Sequence, residues 1–386
     1  MIPPEPRPHP DPEDQRASRA LLGEIRQAIA AANGWLSFAD YMQRALYAPQ
    51  LGYYDRGSDP LGRTGDFVTA PELTPLFGQA LARQIAPILA HSAPYLLEAG
   101  AGSGALAADL LLALDELGCP PIRYDIIELS GTLAVRQRQT IAARAPRLYE
   151  RVRWLGTLPE RFSGCLIANE VLDALPVHRL HWRDDGLYER GITLDEAGAL
   201  CWQERPASAT LAAAAAMLPV EPPYVGEIGL IARAWVGELG RRLECGALLF
   251  IDYGLPRAEL YHPQRAGGTL RCHYRQRVHD DPLWWPGLSD ITAHVDFTAI
   301  AEAGHAAGLD LLGYAPQAGF LLGCGLLDLL AARQQAGGAN AARAMGAAQL
   351  LLSPNEMGEI FKVIALGRGL PVPLQAFARC DRRHTL

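Results

Sequence analysis

The string Leu96-Leu97-Glu98-Ala99-Gly100-Ala101-Gly102-Ser103-Gly104-Ala105 places three glycines at a spacing of two between an apolar run and a helical stretch. Glycine suits a chain that turns sharply and a ligand that lies on bare backbone, because a Cβ would collide there. A helix starting behind such a loop offers N–H groups and a dipole to negative ligand groups. Twenty-four residues after Gly104, Glu128 ends the next apolar run. A carboxylate there can accept hydrogen bonds from both hydroxyls of a ribose. Together these residues describe a pocket for an adenosine-containing cofactor. Ala105 also completes a G-x-G-x-x-G/A pattern suited to a nicotinamide dinucleotide. Against that, Glu98 before the first glycine would oppose a pyrophosphate, yet could organise contacts around the cationic methionine moiety of S-adenosylmethionine. The third glycine at spacing two points the same way.

A second constellation, Asn169-Glu170-Val171-Leu172-Asp173-Ala174-Leu175-Pro176, follows a later apolar run. In an open parallel sheet the carboxyl ends of the strands face the ligand crevice, so Asn169, Glu170 and Asp173 are expected beside the cofactor. One helical turn would put the two acids on one side, where paired carboxylates can hold a planar guanidinium. A helix N-cap with a first-turn acid is the plainer account of the same spacing. Softer candidates are Asp252-Tyr253-Gly254 at another strand end, His294 as a general base, and Gly65-Asp66-Phe67-Val68-Thr69 as a lid. His262, His273 and His279 lack metal-ligand spacing, and no metal is expected.

The elements that must position these residues follow from periodicity. Apolar spacing predicts helices over Ala17–Ala32 and Phe38–Tyr47. Thr69 and Glu72 read as a capping box opening a helix that reaches about Leu89. From Tyr95 onward short apolar runs alternate with helical stretches: Tyr95–Glu98, Tyr124–Glu128, Arg151–Trp154, Cys165–Asn169 and, later, Ala247–Asp252. That alternation predicts parallel strands in a doubly wound α/β sheet. Val177–Trp182, Leu187–Leu194 and Leu200–Gln203 read as a small antiparallel insertion, and Glu227–Leu243 as a helix. Residues 255–295 read as an irregular excursion. A strand at Leu309–Tyr314 and a last one at Ile360–Leu366 complete the pattern.

With 386 residues, 49% hydrophobic and 20% charged, the chain can bury a sizeable core. Its net charge of -7 argues against a nucleic-acid partner. Seven cysteines without a Cys-x-x-Cys pair argue against a disulfide framework or zinc site. The first residues lack signal- and transit-peptide patterns, and no apolar run reaches the roughly 18–20 residues of a membrane span. The expected location is cytoplasmic. A single lysine, Lys362, among 35 basic residues reads as compositional bias.

From about Tyr41 to Gly367 the chain resembles the MidA family of class I S-adenosylmethionine-dependent methyltransferases, which includes the mitochondrial arginine methyltransferase that assists complex I assembly. The resemblance rests on Gly52-Tyr53-Tyr54, Gly65 through Glu72, Phe77-Gly78, the glycine loop, Glu128-x-Ser130, Asn169 through Pro176, Asp252-Tyr253-Gly254, Gly268-Thr269-Leu270, Asp290 through Phe297 and Met357 through Lys362, in linear order. Each piece is short; their order is what makes the signal specific. Alanine at 99 and 101, where larger residues or proline are commoner in such loops, is the main departure. The resemblance implies a Rossmann-like seven-stranded core over 94–386 with insertions at about 178–226 and 255–295. It also implies an N-terminal helical cover over 16–93 and an inserted α+β lobe; residues 1–15 read as a disordered tail. It places S-adenosyl-L-methionine at Glu98, Gly100, Gly102, Gly104 and Glu128, and makes Asp66, Asn169, Glu170 and Asp173 the active-site floor. The implied reaction is methyl transfer to a protein arginine, with a respiratory-complex subunit as the implied partner. A non-catalytic or small-molecule-methylating assembly factor and a nicotinamide-dependent oxidoreductase stay open at this point.

Overall fold

The computed structural model describes residues 8–56 and 69–386. The chain divides into two compact units, Val68–Asp173 with Ala232–Arg257 and Val295–Leu386, and Met1–Phe67 with Ala174–Ile231 and Ala258–His294.

The first of these units carries the expected alternation. Its strands are β1 (Tyr95–Ala99), β2 (Arg123–Ile127), β3 (Val152–Leu155), β4 (Phe162–Asn169), β5 (Leu243–Leu255), β6 (Asp310–Pro316) and β7 (Phe361–Arg368), in the order β6-β7-β5-β4-β1-β2-β3. Strands β1 to β5 are parallel, and β7 runs antiparallel between β5 and β6. A two-residue strand, Val295–Asp296, adds to β5. Leu96, Leu97, Leu166, Ile167, Leu248 and Leu249 are all fully buried. Neighbouring residues on a strand point to opposite faces, so helices must cover both sides of the sheet. That is why the strands read as continuous apolar runs rather than alternating ones.

The helices of this unit used below are α1 (Ala70–Leu73), α2 (Leu76–His91), α3 (Ala105–Glu116) and α4 (Gly131–Arg144). The chain leaves β1 toward β2 and β3 on one side and returns through β4 and β5 on the other. The carboxyl ends of β1 and β4 therefore flank the switch point where ligands bind in open α/β sheets. Register brings those ends level: Ala99 pairs with Ala168, and Asn169 with Ile251.

The second unit holds an antiparallel sheet of Leu36–Ser37, His178–Arg183, Gly186–Leu194, Leu200–Pro206 and Tyr224–Ile228, with helices Pro12–Ala31 and Phe38–Tyr47. Leu21, Ile25, Phe38, Tyr41, Met42 and Ile192 are fully buried in its core.

Several expectations change. Residues 12–15, read as tail, are the first turn of a helix, because Asp11 accepts from the Glu13 and Asp14 N–H groups and Pro12 needs no partner at N1. The helix expected to run on from Thr69 breaks at Thr74-Pro75 into α1 and α2. Both of its pieces pack into the seven-stranded core rather than with the N-terminal helices. The helix read over Glu227–Leu243 begins as the strand Tyr224–Ile228 and becomes helical only at Leu230. The supposedly irregular 255–295 contains a three-stranded sheet of Arg271–Tyr274, Arg277–His279 and Asp290–Thr292.

Candidate active site

The glycine loop joins β1 to α3. Gly100, Gly102 and Gly104 have φ of +66°, +53° and +84°, the left-handed region that side chains disfavour. A Cβ on Gly104 would stand 3.0 Å from the Gln137 Cα and 3.2 Å from its carbonyl oxygen, so α4 approaches the loop backbone directly. Gln137 is fully buried. Its Nε2 donates to the Gly102 carbonyl at 3.1 Å and to Glu128 Oε2 at 2.7 Å, and its Oε1 accepts the Trp154 indole N–H at 2.9 Å. The Ser130 N–H donates to Glu128 Oε1 at 2.8 Å. Glu128 is thus aimed by two donors, and one amide ties it to the glycine loop. Gln137 went unread in the sequence because a glutamine inside a helix carries no positional signal of its own. The residue after Glu128, Leu129, is 78% exposed, an apolar surface beside that carboxylate.

Glu98 is buried, and the Tyr124 hydroxyl donates to its Oε2 at 2.6 Å. Burial raises its pKa to about 7; the Tyr124 hydrogen bond opposes the rise and the Glu128 charge adds to it. A cation held nearby would return it to the ionised form.

Asn169 ends β4, and Glu170 follows it in a turn, not a helix. Glu170 has φ +54°, and its N–H donates to the Ile251 carbonyl at 2.8 Å. Asp252 explains the turn. Its Oδ2 accepts the N–H groups of Val171, Leu172 and Asp173 at 3.1, 2.8 and 3.3 Å, and its Oδ1 that of Tyr253 at 2.9 Å. The helical-turn and N-cap readings of Glu170 and Asp173 both give way: a buried carboxylate from β5, rather than helical periodicity, gathers the acids. Asp252 was read as one soft candidate among several; it is the anchor of this loop. Removing it leaves three N–H groups, two of them buried, without their acceptor. Asp252→Ala is therefore expected to lower stability by about 3 kcal/mol or more, measured by urea denaturation.

Burial raises Glu170 to a pKa of about 8; the Asp173 charge adds to the rise, while the Asn169 amide and the Ala70 N–H oppose it. Burial and then the Asp173 and Glu170 charges likewise raise Asp252. Asn169 Nδ2 donates to Glu170 Oε1 at 3.0 Å, whereas its Oδ1 is buried with no hydrogen-bond partner among the described residues. A buried acceptor of that kind suits a ligand N–H group. A Cβ on Gly100 would stand 2.7 Å from Val171 Cγ2, so the acid turn packs against the first glycine of the loop.

The structure thus brings Glu98, Gly100, Gly102, Gly104, Glu128, Asn169, Glu170 and Asp173 to the carboxyl end of neighbouring strands of one sheet. His294 belongs to the other unit, where its N–H donates to Thr269 Oγ1 at 3.1 Å. The helix start nearby is capped by Asp296, which accepts from the Ala299 N–H. Asp66 and the rest of the lid segment 65–68 lie outside the described residues.

This arrangement fits an adenosine cofactor bearing a cationic amino-acid tail, with bare backbone, an oriented acid one strand over and an orphan acceptor. Residues 80–315 match a family model described as "Putative S-adenosyl-L-methionine-dependent methyltransferase". The chain belongs to this family. The methyltransferase is also similar to a Burkholderia thailandensis protein crystallised with S-adenosyl-homocysteine, at 51% identity and a TM-score of 0.95 over 98% of this chain and 100% of that one. Two curated relatives are named Protein arginine methyltransferase NDUFAF7, mitochondrial. The Mus musculus protein is 30% identical over 92% of this chain and 86% of its own length. The Danio rerio protein is 29% identical over 90% and 87%. The cofactor is S-adenosyl-L-methionine, which closes the nicotinamide alternative. The mitochondrial names overturn the cytoplasmic expectation, which rested on the pattern of the first residues, the cysteine usage and the lack of a long apolar run; nothing in a folded catalytic core encodes its compartment. Among the described residues no helix is long and apolar enough to cross a membrane.

Proposed function

We propose that this methyltransferase modifies a protein arginine side chain, with Glu170 and Asp173 holding the guanidinium. The observation that carries the reading is the acid turn itself: two carboxylates on a loop clamped by Asp252 and packed against the first glycine. The names of the mouse and zebrafish relatives support the same acceptor.

S-adenosyl-L-methionine supplies an electrophilic methyl group when bound. Gly100, Gly102 and Gly104 would hold it on bare backbone. Glu128, oriented by Gln137 and Ser130, would grip its ribose, and Glu98 and the Asn169 Oδ1 would face its charged tail. Leu129 offers apolar surface for the base. Glu170 and Asp173 orient the acceptor, and alignment of this kind accounts for much of the rate in transfer between bound groups. Ionised Glu170 stabilises the guanidinium and accepts its proton as positive charge builds. A respiratory-complex subunit is the first acceptor to try.

Incubating a cell extract with the enzyme and isotope-labelled methyl donor, then mapping the label by mass spectrometry, tests this. Label on arginine is the expected result. Label confined to lysine, to small molecules or to nothing would remove the arginine assignment, and the last outcome would favour a non-catalytic binding platform.

A further inference from the structure

The turn α1 closes through its backbone, with the Glu72 N–H donating to the Thr69 carbonyl at 3.0 Å, but not through the side-chain box its sequence suggests. Thr69 makes no side-chain cap bond. The Glu72 carboxylate, expected to complete the box, instead accepts from the Ser103 hydroxyl inside the glycine loop. Ser103 is buried, and its Oγ in turn accepts the Ala105 N–H at 3.2 Å, where α3 begins. At its other end the turn presents the Ala70 N–H to the Glu170 carboxylate, which it favours in the ionised form. Ala70 is fully buried. One four-residue turn therefore has one end on the cofactor loop and the other on the acceptor acid, so a shift of the turn moves both.

We propose that Glu72 is a positioning residue that couples the glycine loop to Glu170 through α1. The coupling rests on the role proposed above for Glu170. A self-contained capping box would stabilise the turn equally well without touching the loop; the diversion of Glu72 to Ser103 is what makes the turn a link. The charged neighbours are few. Glu72 acts on Asp109 of α3, which burial raises to about 6 and which pairs with Arg144 of α4; Arg333 also faces Asp109. Glu170 is faced by Asp173, Asp252 and the Asn169 amide.

The test uses the full chain, with S-adenosyl-homocysteine binding followed by calorimetry and kcat/KM for methyl transfer followed against pH. Glu72→Ala and Ser103→Ala should each weaken binding about fivefold, as expected for one charge-assisted hydrogen bond. Because either substitution removes the one bond between the two residues, and Ser103→Ala also removes the acceptor of the Ala105 N–H, the double variant should be no worse than Ser103→Ala alone. Glu72→Ala should also move the kcat/KM midpoint up by about half a pH unit, since a loosened Ala70 N–H favours ionised Glu170 less. Glu72→Gln, which keeps shape and an acceptor, should recover part of both effects, and it replaces Glu72→Ala if that variant does not fold. A purely structural Glu72 would lower Tm and leave affinity and midpoint where they were; that result, or additive losses in the double variant, overturns the proposal. A wild-type chain that binds no S-adenosyl-homocysteine would instead refute the cofactor placement. Binding without methyl transfer would refute the Glu170 role and, with it, the coupling.

Discussion

Gly102→Val is expected to abolish S-adenosyl-homocysteine binding while the chain still folds. Gly102 sits at φ +53°, a conformation that costs a residue with a Cβ about 1–2 kcal/mol and a β-branched one more. Its carbonyl is also held by the buried Gln137 amide, the same amide that orients Glu128 at 2.7 Å. A valine would put a side chain on the loop proposed to carry the cofactor on bare backbone, and its backbone strain would reach Glu128 through Gln137. The two effects together should weaken binding at least about 100-fold, equivalent to roughly 2.7 kcal/mol. Calorimetry on a variant whose Tm has been measured checks this. Unchanged affinity in a folded variant would mean that the cofactor does not lie on this loop.

Glu170→Gln should do the reverse, leaving S-adenosyl-homocysteine affinity within about threefold and cutting turnover by about 100-fold or more, the usual scale for a group that handles a proton in the transition state. Burial and the Asp173 charge hold Glu170 at a pKa of about 8 in the free protein, so only the upper part of the physiological range ionises it. The kcat/KM of the wild type should therefore climb with pH to a midpoint near that value, and the variant should lose this limb. Stability follows the same proton with a fixed sign. Between the ordinary 4.5 and about 8 the folded chain keeps a proton that the unfolded chain has released. This group's contribution is accordingly complete below that window and declines as pH rises through it. Urea denaturation at the two ends of the window should show a smaller pH dependence in Glu170→Gln than in wild type. Equal turnover in wild type and variant would take Glu170 out of the reaction.

These two outcomes depend on different kinds of information. The glycine loop was legible because its signal is local: a strand end, three residues able to take positive φ and a helix start are adjacent in the chain. Glu128 was legible for a related reason, since the strand–helix–strand unit fixes its distance from the loop. The parallel strands announced themselves because burial on both faces writes continuous apolar runs into the sequence. The acid turn was half legible. Asn169, Glu170 and Asp173 stood at the end of a recognisable strand, but their conformation was misread as helical.

What the residues settled on their own was a doubly wound sheet, a glycine loop of bare backbone at positive φ and an acid one strand away, all consequences of chain-local periodicity and steric need. Tertiary structure alone decided that Asp252 gathers the acid turn, that Gln137 joins the loop to Glu128, and that Glu72 leaves its own turn to hold Ser103. Each of those rests on a hydrogen bond between groups far apart in the chain: Asp252 to residues 171–173, Gln137 to Gly102, and Glu72 to Ser103. Such bonds form because buried polar groups must find partners, and which partner is within reach depends on how the strands and helices are stacked rather than on any spacing along the sequence.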